Sequence, residues 1–239
     1  MSTNGIFDLQ EGQTLGRHYY VVEPLGTGWE GEVYKVEERR TGIIRAAKLF
    51  YKRKGRRQDS LKRYAQKMYR LRDCPIVVQY LHRDVARIRG EVIEFMVSDL
   101  ADGEVLSRYI ERQKGKRLPP FEALHLLRSL ALGVEQIHYL GEYHGDIHSD
   151  NIMVARRGLG FDVRLLDFFD LGRSTRQRIQ GDVFDMIGIL FEAIGGAKAY
   201  KTIGPEIRQI VLGRKHSLIR QHFRTAGQLR IALDNLDWD

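Results

Sequence analysis

The most constraining stretch of the chain is His144-Gly145-Asp146-Ile147-His148-Ser149-Asp150-Asn151. It crowds two imidazoles, two acids and one carboxamide into eight residues. Residues 121–143 ahead of it read as a helix, and Ile152-Met153-Val154 behind it reads as a short strand. Polar groups between a buried helix and a buried strand are costly unless they are satisfied or used. Asp146 and Asn151 lie five apart. In a tight loop, one can face a substrate hydroxyl while the other holds a metal ion.

A chain of 239 residues makes one large domain or two small lobes. Its apolar content of 43% allows a proper core. The single cysteine, Cys74, rules out a disulfide framework and suits a reducing cytosol. The first 20 residues lack the basic start and apolar block of a secretory signal, and no apolar run reaches the ~20 residues needed to span a bilayer. A cytoplasmic protein is expected. The net charge of +8 suits phosphate-bearing partners but says nothing about fold.

Residues 1–18 read as a loosely held leader. Residues 19–22 form a strand. They lead into Leu25-Gly26-Thr27-Gly28-Trp29-Glu30-Gly31-Glu32-Val33-Tyr34-Lys35-Val36. This glycine-rich turn returns as a strand over 32–36, whereas a dinucleotide fingerprint would open a helix. Gly26, Gly28 and Gly31 let backbone amides approach phosphate oxygens, although hairpin turns also account for spaced glycines. A third strand over 43–50 carries Lys48 as the one cation in the apolar run Ala46-Ala47-Lys48-Leu49-Phe50. If buried, it needs an anion; on an edge strand, it would sit in water. Residues 60–72 are helical by period, with Leu61, Ala65, Met68 and Leu71 on one face. Lys62, Arg63, Lys67, Arg70 and Arg72 make a second face, best read as solvated, because no aromatics interleave to stack bases. Strands over 76–81 and 91–97 follow. Near Ser98 the pattern turns helical, with helices over 105–114, 121–139, 182–194, 205–212 and 226–236. A hairpin over 152–154 and 161–166 interrupts them. The fold class expected is α+β, with a small antiparallel β lobe over 19–98, a mainly helical lobe over 99–239, and a cleft between them suited to a small ligand.

In order and rough spacing, these features resemble the eukaryotic-type Ser/Thr protein kinase family, from about Tyr19 to Leu236. The Gly-x-Gly-x-x-Gly-x-Val loop stands as Gly26 to Val33. Ala-x-Lys stands as Ala46-Ala47-Lys48. The catalytic loop stands as His144-Gly145-Asp146 with Asn151. The metal-binding Asp-Phe-Gly stands as Asp167-Phe168-Phe169. Asp182-Val183 with Gly188 matches the large-lobe helix, and Arg224-Thr225-Ala226 the closing arginine motif. The resemblance implies ATP and Mg2+ as cofactors. Gly26, Gly28 and Gly31 would cover the phosphates, and Lys48 would pair with two of them. Asp146 would accept or orient the substrate hydroxyl, with His148 near the transferred group. Asn151 and Asp167 would hold Mg2+. Val33, Ala46 and Met153 would sandwich the adenine, and the backbone from Asp99 to Ala101 would bind its edge. His144 and Phe168 read as core. Asp170-Leu171-Gly172 is a second candidate for the metal-binding acid; Asp167 is preferred because 163–166 gives the expected strand directly ahead of it.

Four departures stand out. No acid occurs between Ser60 and Arg72, so Lys48 lacks its usual helix glutamate. Gly145 replaces the arginine that reads a phosphorylated activation loop. Only 14 residues separate Asp167 from Asp182, too few for a peptide-docking platform. No Ala-Pro-Glu appears there, so Arg224 loses its usual glutamate partner; and about 30 residues separate Gly196 from Ala226, so the docking helices are cut down. The His-Gly-Asp-x-His loop also resembles aminoglycoside and choline kinases. The leading reading is a compact protein kinase that acts on a protein hydroxyl. A small-molecule kinase and a nucleotide-binding pseudokinase are the alternatives. ATP and a hydroxyl-bearing substrate are the expected partners; membrane and nucleic acid are not.

Overall fold

The computed structural model describes residues 7–28, 30–51, 59–158, 160–168 and 171–236. The chain divides into two compact units: Met1–Tyr69 with Val78–Leu100, and Arg70–Val77 with Ala101–Asp239.

The first unit is built on a six-stranded antiparallel sheet in the order β1-β2-β3-β4-β6-β5. The strands are β1 (Thr14–Leu15), β2 (Tyr19–Thr27), β3 (Gly31–Glu38), β4 (Ile44–Phe50), β5 (Tyr80–Ile88) and β6 (Glu91–Asp99). Alternation along β3 and β4 sends Tyr34, Val36, Ala47 and Leu49 to one face. There they pack with Tyr19, Val21, Ile93, Phe95 and Val97. Full burial of a side chain such as Leu49 or Phe95 contributes about 1.5–3 kcal/mol. The register Val33↔Lys48 and Lys35↔Ala46 puts these four residues on the opposite face. Lys48 therefore lies in the sheet interior, between β3 and β6, rather than on an edge.

Residues 7–18 are not a loose leader. Thr14 and Leu15 pair with β2, and Phe7 and Leu15 join the buried cluster. Their anchor is Glu32 on β3, whose carboxylate accepts from the Phe7 N–H at 2.8 Å, the Tyr51 hydroxyl at 3.0 Å and the Tyr34 hydroxyl. Burial, followed by the bond to Glu32, pushes the Tyr34 phenol up to about 12. The strand expected over 76–81 also differs. Val77 makes only an isolated bridge to Leu165, and Ile76 is buried against Gly133, where a Cβ would lie 2.4 Å from its Cδ1. The strand proper runs Tyr80–Ile88, a polar sheet edge whose alternation is weak. It turns through Arg89 and Gly90, both at positive φ, as a tight hairpin requires. Helix α1 (Asp59–Arg70) buries Leu61 and Met68, and also Lys67, at 2% exposure. Its other basic residues, Lys62, Arg63 and Arg70, are exposed, as a solvated face should be.

The second unit begins with β7 (Glu104–Val105) and α2 (Leu106–Glu111). Helix α3 (Pro120–Tyr139) starts on a proline at its first position, where the missing N–H is not needed. It buries Leu124, Leu127, Leu130, Ala131, Val134 and Ile137, the stripe expected from the sequence. A hairpin of β8 (Ile152–Arg157) and β9 (Gly160–Leu165) follows, with β7 completing a three-stranded sheet. Helix α4 (Arg176–Ala193) begins six residues earlier than expected, capped by the Thr175 side chain on the Arg178 N–H. It stops at Gly195, which takes a left-handed conformation. The cut-down region holds α5 (Gly196–Tyr200), α6 (Pro205–Val211) and α7 (His216–His222) before α8 (Ala226–Asp234). Thr225 caps α8 on the Gln228 N–H, and the Gln228 side chain accepts from the Arg224 N–H, so this arginine motif serves as a helix start. Among the described residues, no helix is long and apolar enough to cross a membrane.

Candidate active site

The crowded loop closes on one buried acid of α4. Asp182 is fully buried and accepts from three donors: the His144 N–H at 2.8 Å, the Gly145 N–H at 2.8 Å and His138 Nε2 at 2.9 Å. A buried carboxylate is tolerable only when its oxygens are satisfied in this way. His144, also fully buried, bonds through Nε2 to the Leu166 carbonyl at 2.8 Å. Its Nδ1 accepts from the Asp146 N–H at 3.2 Å. Those two partners demand a neutral ring with its proton on Nε2. His144 packs against the buried Phe168 with the rings tilted and centroids 4.4 Å apart, so both residues are packing, as expected. Gly145 sits at φ +89°, where an arginine side chain would be strained.

Thus braced, the loop presents Asp146 to solvent. Asn151 Nδ2 donates to the Asp146 backbone carbonyl at 3.1 Å and lies 3.4 Å from its carboxylate. His148 Nε2 lies 3.5 Å from the Asp146 carboxylate, and its Nδ1 lies 4.0 Å from that of Asp150. The Ser107 hydroxyl holds Asp150 at 2.6 Å, and the Ser149 hydroxyl donates to Glu192 at 2.7 Å. A further acid, Asp185, stands one helical turn beyond Asp182 on α4. Burial, followed by the charges of Asp182 and Asp146, pushes its carboxyl up to about 6; the Ile147 N–H and His148 oppose that rise. The sequence reading missed Asp185, although its spacing from Asp182 was the available signal.

The hairpin register pairs Ile152 with Leu165, and the Leu166 N–H donates to the Asn151 carbonyl at 2.9 Å. Asp167 therefore follows directly on the residue bonded to Asn151. Its φ is +66°, a conformation that Asp tolerates better than most residues. Because Asn151 turns its amide nitrogen to Asp146, its side-chain oxygen faces away from that bond. That oxygen and the Asp167 carboxylate are hard donors, which suits Mg2+. No group of three or more His, Cys, Asp or Glu residues among the described residues could hold a metal by itself. The donors fit a cation whose shell is completed by phosphate and water. Asp170 and Phe169 lie outside the described residues.

In the first unit, Lys48 Nζ contacts Glu30 Oε2 at 2.9 Å, with the two side chains 20% and 7% exposed. The sequence left Lys48 without its usual helix glutamate. Gly31 is demanded by packing, since a Cβ there would lie 1.8 Å from the Leu49 carbonyl oxygen. Gly26 and Gly28 are different. Neither has positive φ, and a Cβ at either would meet nothing within 4 Å. Val33 and Ala46 are half-buried on the Lys48 face, and Met153 is half-buried on β8 of the second unit. The Asp99 N–H already donates to the Gln79 carbonyl at 2.9 Å, and the Asp99 carboxylate pairs with Arg45. Ala101 is bound by no such ladder among the described residues.

Comparison with known proteins agrees with this arrangement. The sequence matches the family described as Protein kinase domain over residues 19–188. It is 31% identical, over 63% of its length, to a cyclin-dependent kinase F-2 of Oryza sativa subsp. japonica, spanning 46% of that protein. It is 28% identical, over 64% of its length, to the serine/threonine-protein kinase PkaA of Streptomyces coelicolor, spanning 30% of it. The chain thus spans less than half of these relatives. Among solved structures, the kinase domain of PknI from Mycobacterium tuberculosis superposes with a TM-score of 0.65, covering 95% of this chain and 96% of that one, at 17% identity. That likeness concerns the fold. With the family match covering most of the sequence, the chain belongs to the protein kinase domain family.

Proposed function

We propose that this chain is an ATP-dependent, Mg2+-assisted phosphotransferase that moves the γ-phosphoryl group to a hydroxyl on a protein. The observation that carries this reading is the brace on the catalytic loop. Asp182 and Asn151 hold the backbone around Asp146 without the arginine that elsewhere waits for a phosphorylated loop. Phosphoryl transfer needs mainly positioning and charge neutralisation. Asp146 accepts or orients the substrate hydroxyl, and His148 stands beside it as a neighbouring polar group. Asn151 and Asp167 are the oxygen donors for Mg2+, which neutralises phosphate charge when bound. In the 19–98 lobe, Lys48 pairs with nucleotide phosphates. Gly26 and Gly28, whose glycines serve no packing need, let the backbone approach those phosphates, and Gly31 keeps the loop flush with β4. Val33 and Ala46, on the same sheet face as Lys48, cover one side of the adenine. The 99–239 lobe carries the chemistry. The single cysteine suits a reducing compartment, and the cytoplasm is where we place the reaction.

The test is transfer of label from γ-labelled ATP, in the presence of Mg2+, to the protein itself, to generic protein substrates and to a panel of aminoglycosides and aminoalcohols. Labelled protein is expected, with an Asp146→Ala variant slower by roughly 10²–10⁴-fold. Turnover of small molecules alone would replace the protein substrate with a metabolite. Nucleotide binding without transfer to anything would leave a pseudokinase.

A further inference from the structure

Lys48 has an unusual partner. Helix α1 offers no acid anywhere from Ser60 to Arg72, and the polar side chain it buries most deeply is the cation of Lys67. The acid beside Lys48 comes instead from the glycine-rich loop. Glu30 is 6% exposed, and its carboxylate lies 2.9 Å from Lys48 Nζ. Its backbone is fixed as well. The Glu30 carbonyl accepts from the Tyr51 N–H at 2.9 Å, just past the end of β4. The next residue, Gly31, lies flush against Leu49, and the Gly31 carbonyl accepts from the Gly28 N–H at 2.9 Å. Glu32, the other buried acid nearby, is committed to Phe7, Tyr34 and Tyr51. The division of labour is clear: Glu32 anchors the N-terminal segment, and Glu30 faces the lysine.

We propose that Glu30 is the positioning residue for Lys48, replacing the missing helix acid; this rests on the kinase reading above. The lysine is then aligned by the loop and by β4, not by the placement of α1. A mostly buried ion pair is highly sensitive to loss of one partner, because the remaining charge is left uncompensated. Glu30 thus couples the glycine-rich loop directly to the phosphate-binding cation.

A double-mutant cycle on the full chain tests this, read by calorimetric titration with Mg-ATP and by the kcat and KM of transfer. Glu30→Gln is expected to raise the Mg-ATP dissociation constant about 10-fold, and Lys48→Met at least as much. In the Lys48→Met background, Glu30→Gln is expected to add less than 2-fold, because Glu30 acts through the lysine. A general folding defect would add its full effect in both backgrounds and would overturn the inference. So would a Glu30→Gln variant that binds Mg-ATP as tightly as the wild type, or more tightly, since Glu30 would then be idle or a competitor for Lys48. If Lys48→Met weakens binding and Glu30→Gln does not, the inference fails while the kinase reading stands. If the wild-type chain binds no Mg-ATP, both fail together.

Discussion

Asp182 and Glu30 are both buried acids that hold a functional group in place, but they do it differently. Asp182 sits within an 18-residue helix and grips the catalytic loop through its backbone, so it fixes shape whatever side chains the loop carries. Glu30 sits on a loop and its carboxylate contacts the side chain of Lys48 rather than a backbone, so it aligns a charge and can release it. The first arrangement gives a loop that is organised without ligand. The second leaves room for a nucleotide to rearrange the partners of Lys48. On the kinase reading proposed above, a chain without an arginine reader keeps its catalytic loop constant and places its adjustable contact beside the glycine-rich loop.

The largest effect that would break this contrast is loss of Asp182. Asp182→Asn keeps the size of the side chain but turns one oxygen into a donor that faces another donor. With three buried donors left partly unsatisfied, the expected destabilisation is about 3–5 kcal/mol, measured by urea unfolding of the purified chain. A cost below about 1 kcal/mol would mean that the loop is held by something else. Gly31→Ala is next. Its Cβ would enter the Leu49 carbonyl, and a loss of about 2–3 kcal/mol is expected from overpacking. Gly26→Ala and Gly28→Ala meet open space, so they should change stability by less than about 0.5 kcal/mol while weakening Mg-ATP binding. Equal stability losses at all three glycines would erase the distinction between a packing glycine and a ligand-facing one.

What could be read from the sequence follows the same divide. The α3 stripe, the β8–β9 hairpin and the catalytic loop were legible because apolar periodicity and local spacing determine them. The role of Glu30 was not legible, because its partner lies 18 residues away across a strand pair and no local pattern marks it. Residues 7–18 were misread for a similar reason. Their anchor, Glu32, lies 25 residues from Phe7, so the segment shows little signal of its own. The 76–81 strand failed because Ile76 and Val77 are apolar on account of tertiary burial, not alternation. Within 196–222, the helix expected over 205–212 is found as α6, whereas α5 and α7 carry too few turns to show a period.

A last effect concerns a charge that the second unit tolerates rather than uses for bracing. Asp185 faces Asp182, Asp146 and His148, and its carboxyl is raised to about 6 from the usual 3.8. The folded state therefore holds a proton that the unfolded chain gives up near pH 4. Between about pH 4 and pH 6 the folded state binds more protons than the unfolded one, so this residue makes stability fall as pH rises, with no further change above that window. Asp185→Asn keeps an oxygen for the Ile147 N–H and removes the charge. After allowance for solvent screening of a half-buried group, it should stabilise the chain by about 1–2 kcal/mol at pH 7.5 and by almost nothing at pH 4. Unfolding curves at the two pH values supply the check. An equal gain at both would trace the effect to packing and remove Asp185 from the electrostatics of the catalytic loop.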